Sequence, residues 1–162
     1  MRLRLALLPL IALAAPLWAR ESLGIYGQWG AFRDEEGPRC YAIAMPARTS
    51  GAQDFAAFAA VSHWPARRVR GQVHFRTSRA MGEDSGITLR IGRDSFALAG
   101  SANNAWAEGP NDDAAIVAAM RGAGSMVLTA RDVDGRRFTN SYDLTGAATA
   151  MDAASIGCAG RT

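Results

Sequence analysis

Between residues 69 and 77, Val69, Gly71, Val73, Phe75 and Thr77 alternate with Arg70, Gln72, His74 and Arg76, and Ser78 continues the polar series. A period of two predicts a strand with one face toward a core and the other toward water. On this reading Arg70, Gln72, His74 and Arg76 share the wet face, and Val73 and Phe75 lie in the core. Ile87, Leu89 and Ile91 alternate with Thr88 and Arg90, and Phe96 and Leu98 resume the pattern after Gly92-Arg93-Asp94, which predicts a hairpin. Residues 27–33, with Trp29, and residues 39–44 read as two early strands around the acidic turn Asp34-Glu35-Glu36-Gly37-Pro38. Residues 47–54 read as a loop. Residues 55–59 have helical spacing, but 58–64 end in strand formers before Pro65 and are assigned as strand. Residues 81–85 and 100–110 read as loops. Residues 112–121 are predicted to be a helix capped by Asn111 and closed by Gly122, with Ile116, Val117 and Met120 on its apolar stripe. Strands at 126–131 and 138–144 flank a turn at Asp134-Gly135, and a last helix over 147–156 follows Thr145. Many short strands with two short helices predict a mainly β protein of the β-sandwich type, with a small barrel as the other architecture that fits.

The N-terminus changes where this fold is expected to reside. Met1-Arg2-Leu3-Arg4 is basic, Leu5 to Trp18 is apolar but interrupted by Pro9 and Pro16, and Ala19 is small. This is the layout of a secretory signal peptide cleaved after Ala19. The run is shorter than the roughly 20 apolar residues of a membrane span. The expected organisation is therefore a signal peptide at 1–19 and one domain at 20–162, periplasmic or secreted, with no transmembrane segment after cleavage. Losing Arg2 and Arg4 lowers the basic residues from 18 to 16 against 15 acidic ones, a net charge of +1. That balance gives no electrostatic case for nucleic acid. Every basic residue is arginine. The only two cysteines, Cys40 and Cys158, are expected to pair in an oxidising compartment and so join the second strand to the chain end.

No catalytic, cofactor or metal site is expected. His63 and His74 lack acidic or cysteine neighbours at ligand spacing. Glu83-Asp84-Ser85-Gly86 lacks the glycines of a serine-protease nucleophile loop. Asp132-Val133-Asp134-Gly135 begins like a calcium loop, but its glycine comes too early and Arg136-Arg137 follow. The stretch from His63 to Arg70 remains. His63, Trp64, Arg67, Arg68 and Arg70 place aromatic groups beside arginines, a chemistry that recognises carboxylates, phosphates or a protein patch. They form the candidate binding surface, with a solvated turn as the plainer alternative.

Four stretches, in order, resemble the invasion-associated locus B family of bacterial envelope proteins. These are Trp29-Gly30-Ala31-Phe32, Arg39-Cys40-Tyr41, the segment from Asp113 to Met126, and the segment from Leu144 to Asp152. The chain departs from the family at Phe32-Arg33 and at Ala105-Trp106-Ala107, where further cysteines would stand, so the family's disulfide scheme does not carry over. The resemblance implies an immunoglobulin-like β-sandwich in the periplasm or at the cell surface, without known enzymatic activity. The expected function is a non-enzymatic module that binds an unknown protein or envelope component. A structural envelope-stress protein and a hydrolase with a loop-built site are the alternatives.

Overall fold

The computed structural model describes residues 20–34 and 38–159. The expected signal segment lies outside them. Eleven strands and two helices follow one another in chain order. The strands are β1 (Glu21–Tyr26), β2 (Trp29–Asp34), β3 (Arg39–Ala44), β4 (Arg48–Thr49), β5 (Phe58–Trp64), β6 (Val69–Arg76), β7 (Thr88–Ile91), β8 (Asp94–Ser101), β9 (Asn104–Ala107), β10 (Ser125–Arg131) and β11 (Arg137–Asp143). The helices are α1 (Pro110–Gly122), between β9 and β10, and α2 (Ala147–Gly157), after β11. The protein is mainly β with two helices, as its hydrophobic pattern predicts.

The strands form one antiparallel sheet in the order β1-β2-β3-β5-β6-β9-β8-β7-β10-β11-β4. β8 is the joint. Its first half pairs with β7 and its second half with β9. The two halves of the sheet thus share a strand and turn their apolar faces toward each other. One layer contributes Trp29, Ala31, Cys40, Ala42, Val61, Val73 and Phe75, and the other Leu89, Ile91, Met126, Leu128, Phe138 and Tyr142. The Phe75 and Tyr142 rings meet across the gap at 6.0 Å. The Trp29 indole donates to the Asp143 carbonyl at 2.9 Å. α2 packs on β1, β2 and β3, and α1 packs mainly on β6. Ile116 and Met120 of α1, and Ala147, Ala150, Met151 and Ala154 of α2, are buried. Burial of the Tyr142 hydroxyl, which has no partner among the described residues, pushes its pKa up to well above the usual range.

Cys40 and Cys158 form the expected disulfide, with their Cα atoms 5.8 Å apart. It fastens the end of α2 to the core face of β3. The small residues of α2 remove little apolar area each, so the covalent tie adds a restraint that packing alone supplies weakly.

Several elements differ from the sequence expectation. β1 lies where no strand is predicted, because a bulge between Ser22 and Gly24 breaks the alternation. Gly27-Gln28 forms a two-residue turn from β1 into β2, with Gly27 at φ 58. The predicted loop at 100–110 is instead the end of β8, the Ala102-Asn103 turn and β9. Its polar, glycine-containing sequence hides the pairing. α1 starts at Pro110 after Gly109, and Asn111 lies inside its first turn. Proline suits that position because its missing N–H is not needed there. Gly146, at φ 86, precedes α2 in place of Thr145. An added Cβ there would strike the Tyr26 carbonyl, so only glycine lets the chain enter the helix this close to β1.

Candidate functional site

β6 determines which predicted site residues meet. Val73 and Phe75 are buried, while Gln72, His74 and Arg76 lie on the opposite face, as the alternation predicts. Arg70 does not join them. Ser62 pairs with Gln72 and Trp64 with Val69, so His63 alone opposes both Arg70 and Gly71. This is a bulge, and Gly71 at φ 72 adopts the backbone it requires. The bulge resets the alternation and places Arg70 on the side of His63, toward the helices. His63 pairs with the disulfide residue Cys40 in the neighbouring strand. Burial, reinforced by the Arg70 charge, holds its pKa below the ordinary value.

The sequence-predicted cluster is therefore divided. Trp64 and Arg67 lie on the outer face, with the guanidinium 5.0 Å from the indole centroid. His63 and Arg70 belong to the opposite face. Arg68 is exposed and serves the backbone: at φ 55 it closes the single 3-10 turn Pro65–Arg67, and its N–H donates to the Pro65 carbonyl at 3.0 Å.

The outer face holds partners that sequence proximity does not reveal. Phe32, Tyr41, Ser62 and Gln72 are register neighbours across β2, β3, β5 and β6. Ile43, Ala60, His74 and Trp106 form the next row, ending on β9. Arginines stack against these rings. Arg39 lies 4.2 Å from the Tyr41 centroid and 4.9 Å from that of Trp64. Arg20 lies 5.8 Å from Phe32 and 5.7 Å from Tyr41, and Arg76 lies 5.7 Å from Phe55. Such contacts are worth about 0.5–2 kcal/mol each, more where water is excluded. Trp64 also donates through Nε1 to Gln72 at 3.2 Å.

His74 stacks on Trp106 at 5.1 Å and meets the edge of Phe58 at 5.2 Å. Its Nε2 lies 3.0 Å from Asn104 Oδ1, which suits the tautomer protonated on Nε2. Burial holds the His74 pKa below its ordinary value, against the pull of the Asn104 hydrogen bond. Asp34 reaches this surface from the end of β2. It accepts from the Tyr41 hydroxyl at 3.3 Å and from Arg20 at 3.4 Å. Burial, then the Asp34 charge, raise the Tyr41 pKa, and burial lowers that of Arg39. Among the described residues no carboxylate lies at ion-pair distance from Arg39, Arg67 or Arg76.

The motif-like stretches elsewhere have structural work. Ser85 Oγ donates to the Arg131 carbonyl at 2.8 Å and accepts from the Arg131 N–H at 2.7 Å, which ties its loop to β10. Asp132 is buried. Its Oδ1 accepts from the N–H groups of Asp134 and Arg136, closing the β10–β11 turn, and its Oδ2 pairs with Arg79 at 2.8 Å. Among the described residues no three of His, Cys, Asp and Glu converge as a metal-binding group. A shallow groove of about 520 Å³ lies against β4, β10 and β11, lined by Thr49, Ser50, Ser125, Thr139 and Ser141. Ser50 Oγ there accepts from the Thr139 N–H at 2.8 Å, holding edge strand β4 in place.

Comparison of the chain with protein-family models, curated proteins and solved structures found no match. Among the described residues no helix is long and apolar enough to cross a membrane.

Proposed function

We propose that the protein is an exported, non-enzymatic binding module of the bacterial envelope, related to the invasion-associated locus B family, and that it engages an envelope component through the outer face of β2, β3, β5, β6 and β9. The observation that carries this reading is the stacked series Arg20–Tyr41–Arg39–Trp64–Arg67. A solvated strand face has no need to hold arginines in register on aromatic rings. A stacked guanidinium has lost side-chain freedom already; Arg20 and Arg39 each spend one donor, on Asp34 Oδ1 and Ser62 Oγ, while Arg67 makes no side-chain hydrogen bond among the described residues. The buried disulfide and the secretory pattern of the N-terminus support an oxidising compartment. The structural duties of Ser85 and Asp132 favour binding over hydrolysis.

Capture from a bacterial envelope extract tests the proposal. The wild-type domain should retain a component that the triple variant Arg39→Gln, Arg67→Gln, Arg76→Gln loses, while its circular dichroism stays unchanged. Retention of the same component by wild type and folded variant alike would overturn the reading. Hydrolysis of generic ester, peptide or glycoside substrates by the purified domain would also overturn it.

A further inference from the structure

From the composition of this face we infer that its ligand is an anionic glycan, a polysaccharide bearing carboxylate or phosphate groups; the inference rests on the binding reading above. Charge sets the sign. Arg20, Arg39 and Arg67 each stack on a ring of the face, Arg76 of β6 stacks on Phe55 just before β5, and Asp34 is the described carboxylate in contact with them. This makes the part of the face around Arg67, Gln72, His74 and Arg76 the more favourable for an anion. A guanidinium stacked on a ring presents its N–H edge in a geometry that matches carboxylate or phosphate oxygens.

The neutral groups separate a glycan from a peptide. Gln72 and His74 share the outer face of β6 with Arg76, and Asn104 of β9 opposes Arg76. Amides and imidazoles of this kind exchange hydrogen bonds with ring hydroxyls. An extended peptide would bind best by adding to a free strand edge. β3 and β5 are paired on both sides along this face, β6 is paired on both sides from His74 to Arg76, and beyond β9 the Val73 N–H is taken by Asp113, so the only open backbone edge of β6 is confined to residues 69–72. The five strands, spaced about 4.8 Å apart, make an open surface roughly 20 Å across that suits a flat chain rather than an enclosed small molecule.

The test uses the domain with its disulfide intact, against polygalacturonate as the carboxylate probe, a phosphate-bearing teichoic acid as the phosphate probe and dextran as the neutral one. At least one anionic polymer should bind with an affinity that falls as salt rises, and dextran should bind no better than buffer. Arg67→Gln and Arg76→Gln should each weaken binding about ten-fold. Arg90→Gln and Arg137→Gln, on strands of the other layer, change the net charge equally and should leave binding unaltered. Binding of neither anionic polymer, or equal loss with all four substitutions, would overturn the glycan inference. If the envelope extract still yields a component lost with the Arg39/Arg67/Arg76 variant, the binding face stands and only its ligand class is wrong.

Discussion

Val73 and Arg76 illustrate how two residues of one strand carry different consequences. Val73 is buried, and its N–H donates to Asp113 Oδ1 of α1 at 2.7 Å. That bond covers the stretch of β6 that β9 does not reach. Val73→Asp would bury an unpaired carboxylate and should unfold the domain, whereas Arg76→Ser should change stability by about 0.5 kcal/mol. Equal losses in urea denaturation would contradict the register. The histidines set a pH dependence. Both His63 and His74 have pKa values held below the ordinary 6.5, first by burial. The unfolded chain therefore binds protons more readily than the folded one below about pH 6.5, and stability present above that pH is lost as pH falls. Asp113, whose pKa is raised first by burial, acts with the opposite sign, losing stability as pH rises above the ordinary 3.8 of an aspartate. The histidine effect should appear as a falling melting temperature between about pH 7 and pH 5, flattened in His63→Gln. An unaltered slope in that variant would exclude His63 as a source. Trp64 and Arg67 were legible in the sequence because they are neighbours along the chain. Arg39 and Tyr41 were not, because their partnership with Trp64 is made across strands.

Among the elements, α2 depends most on features other than its own packing. It enters through Gly146 and ends at the disulfide. Gly146→Ala should destabilise the domain by about 1–3 kcal/mol, because the left-handed backbone and the Tyr26 carbonyl both oppose a side chain. A melting temperature equal to that of the wild type would show that the helix entry can relax. Reduction should fray α2, lower the melting temperature and cost the domain up to about 4.7 kcal/mol of stability in the chain-entropy limit for a long loop. Free thiols in the unreduced, denatured protein would contradict the bridge, and an unchanged melting temperature on reduction would remove its structural role. Alternating segments such as 69–76 and 126–131 declared themselves through period two. β1 and β9 did not. β1 carries a bulge, and β9 follows a run of Gly, Ser, Ala and Asn whose pairing is decided by β6 and β8 rather than by its own propensity.

At the scale of the whole molecule, two layers joined through β8 enclose one core, and their outer faces differ in chemistry. The layer over β10 and β11 presents a hydroxyl-lined groove whose groups help fasten β4. The other presents arginines stacked on aromatic rings. The sandwich and its disulfide were legible in short alternating strands and a lone cysteine pair. The proposed binding face was only half legible, because a single bulge at Gly71 decides that Gln72 and Arg70 face opposite ways. The central claim is that recognition occurs on the arginine–aromatic face. Amide and indole chemical-shift mapping of isotopically labelled domain, titrated with bacterial envelope extract, tests it most directly. Shifts should concentrate at Tyr41, Ser62, Trp64, Gln72, His74 and Trp106. Shifts confined to Thr49, Thr139 and Ser141 in the groove, or no shifts at all, would contradict the account.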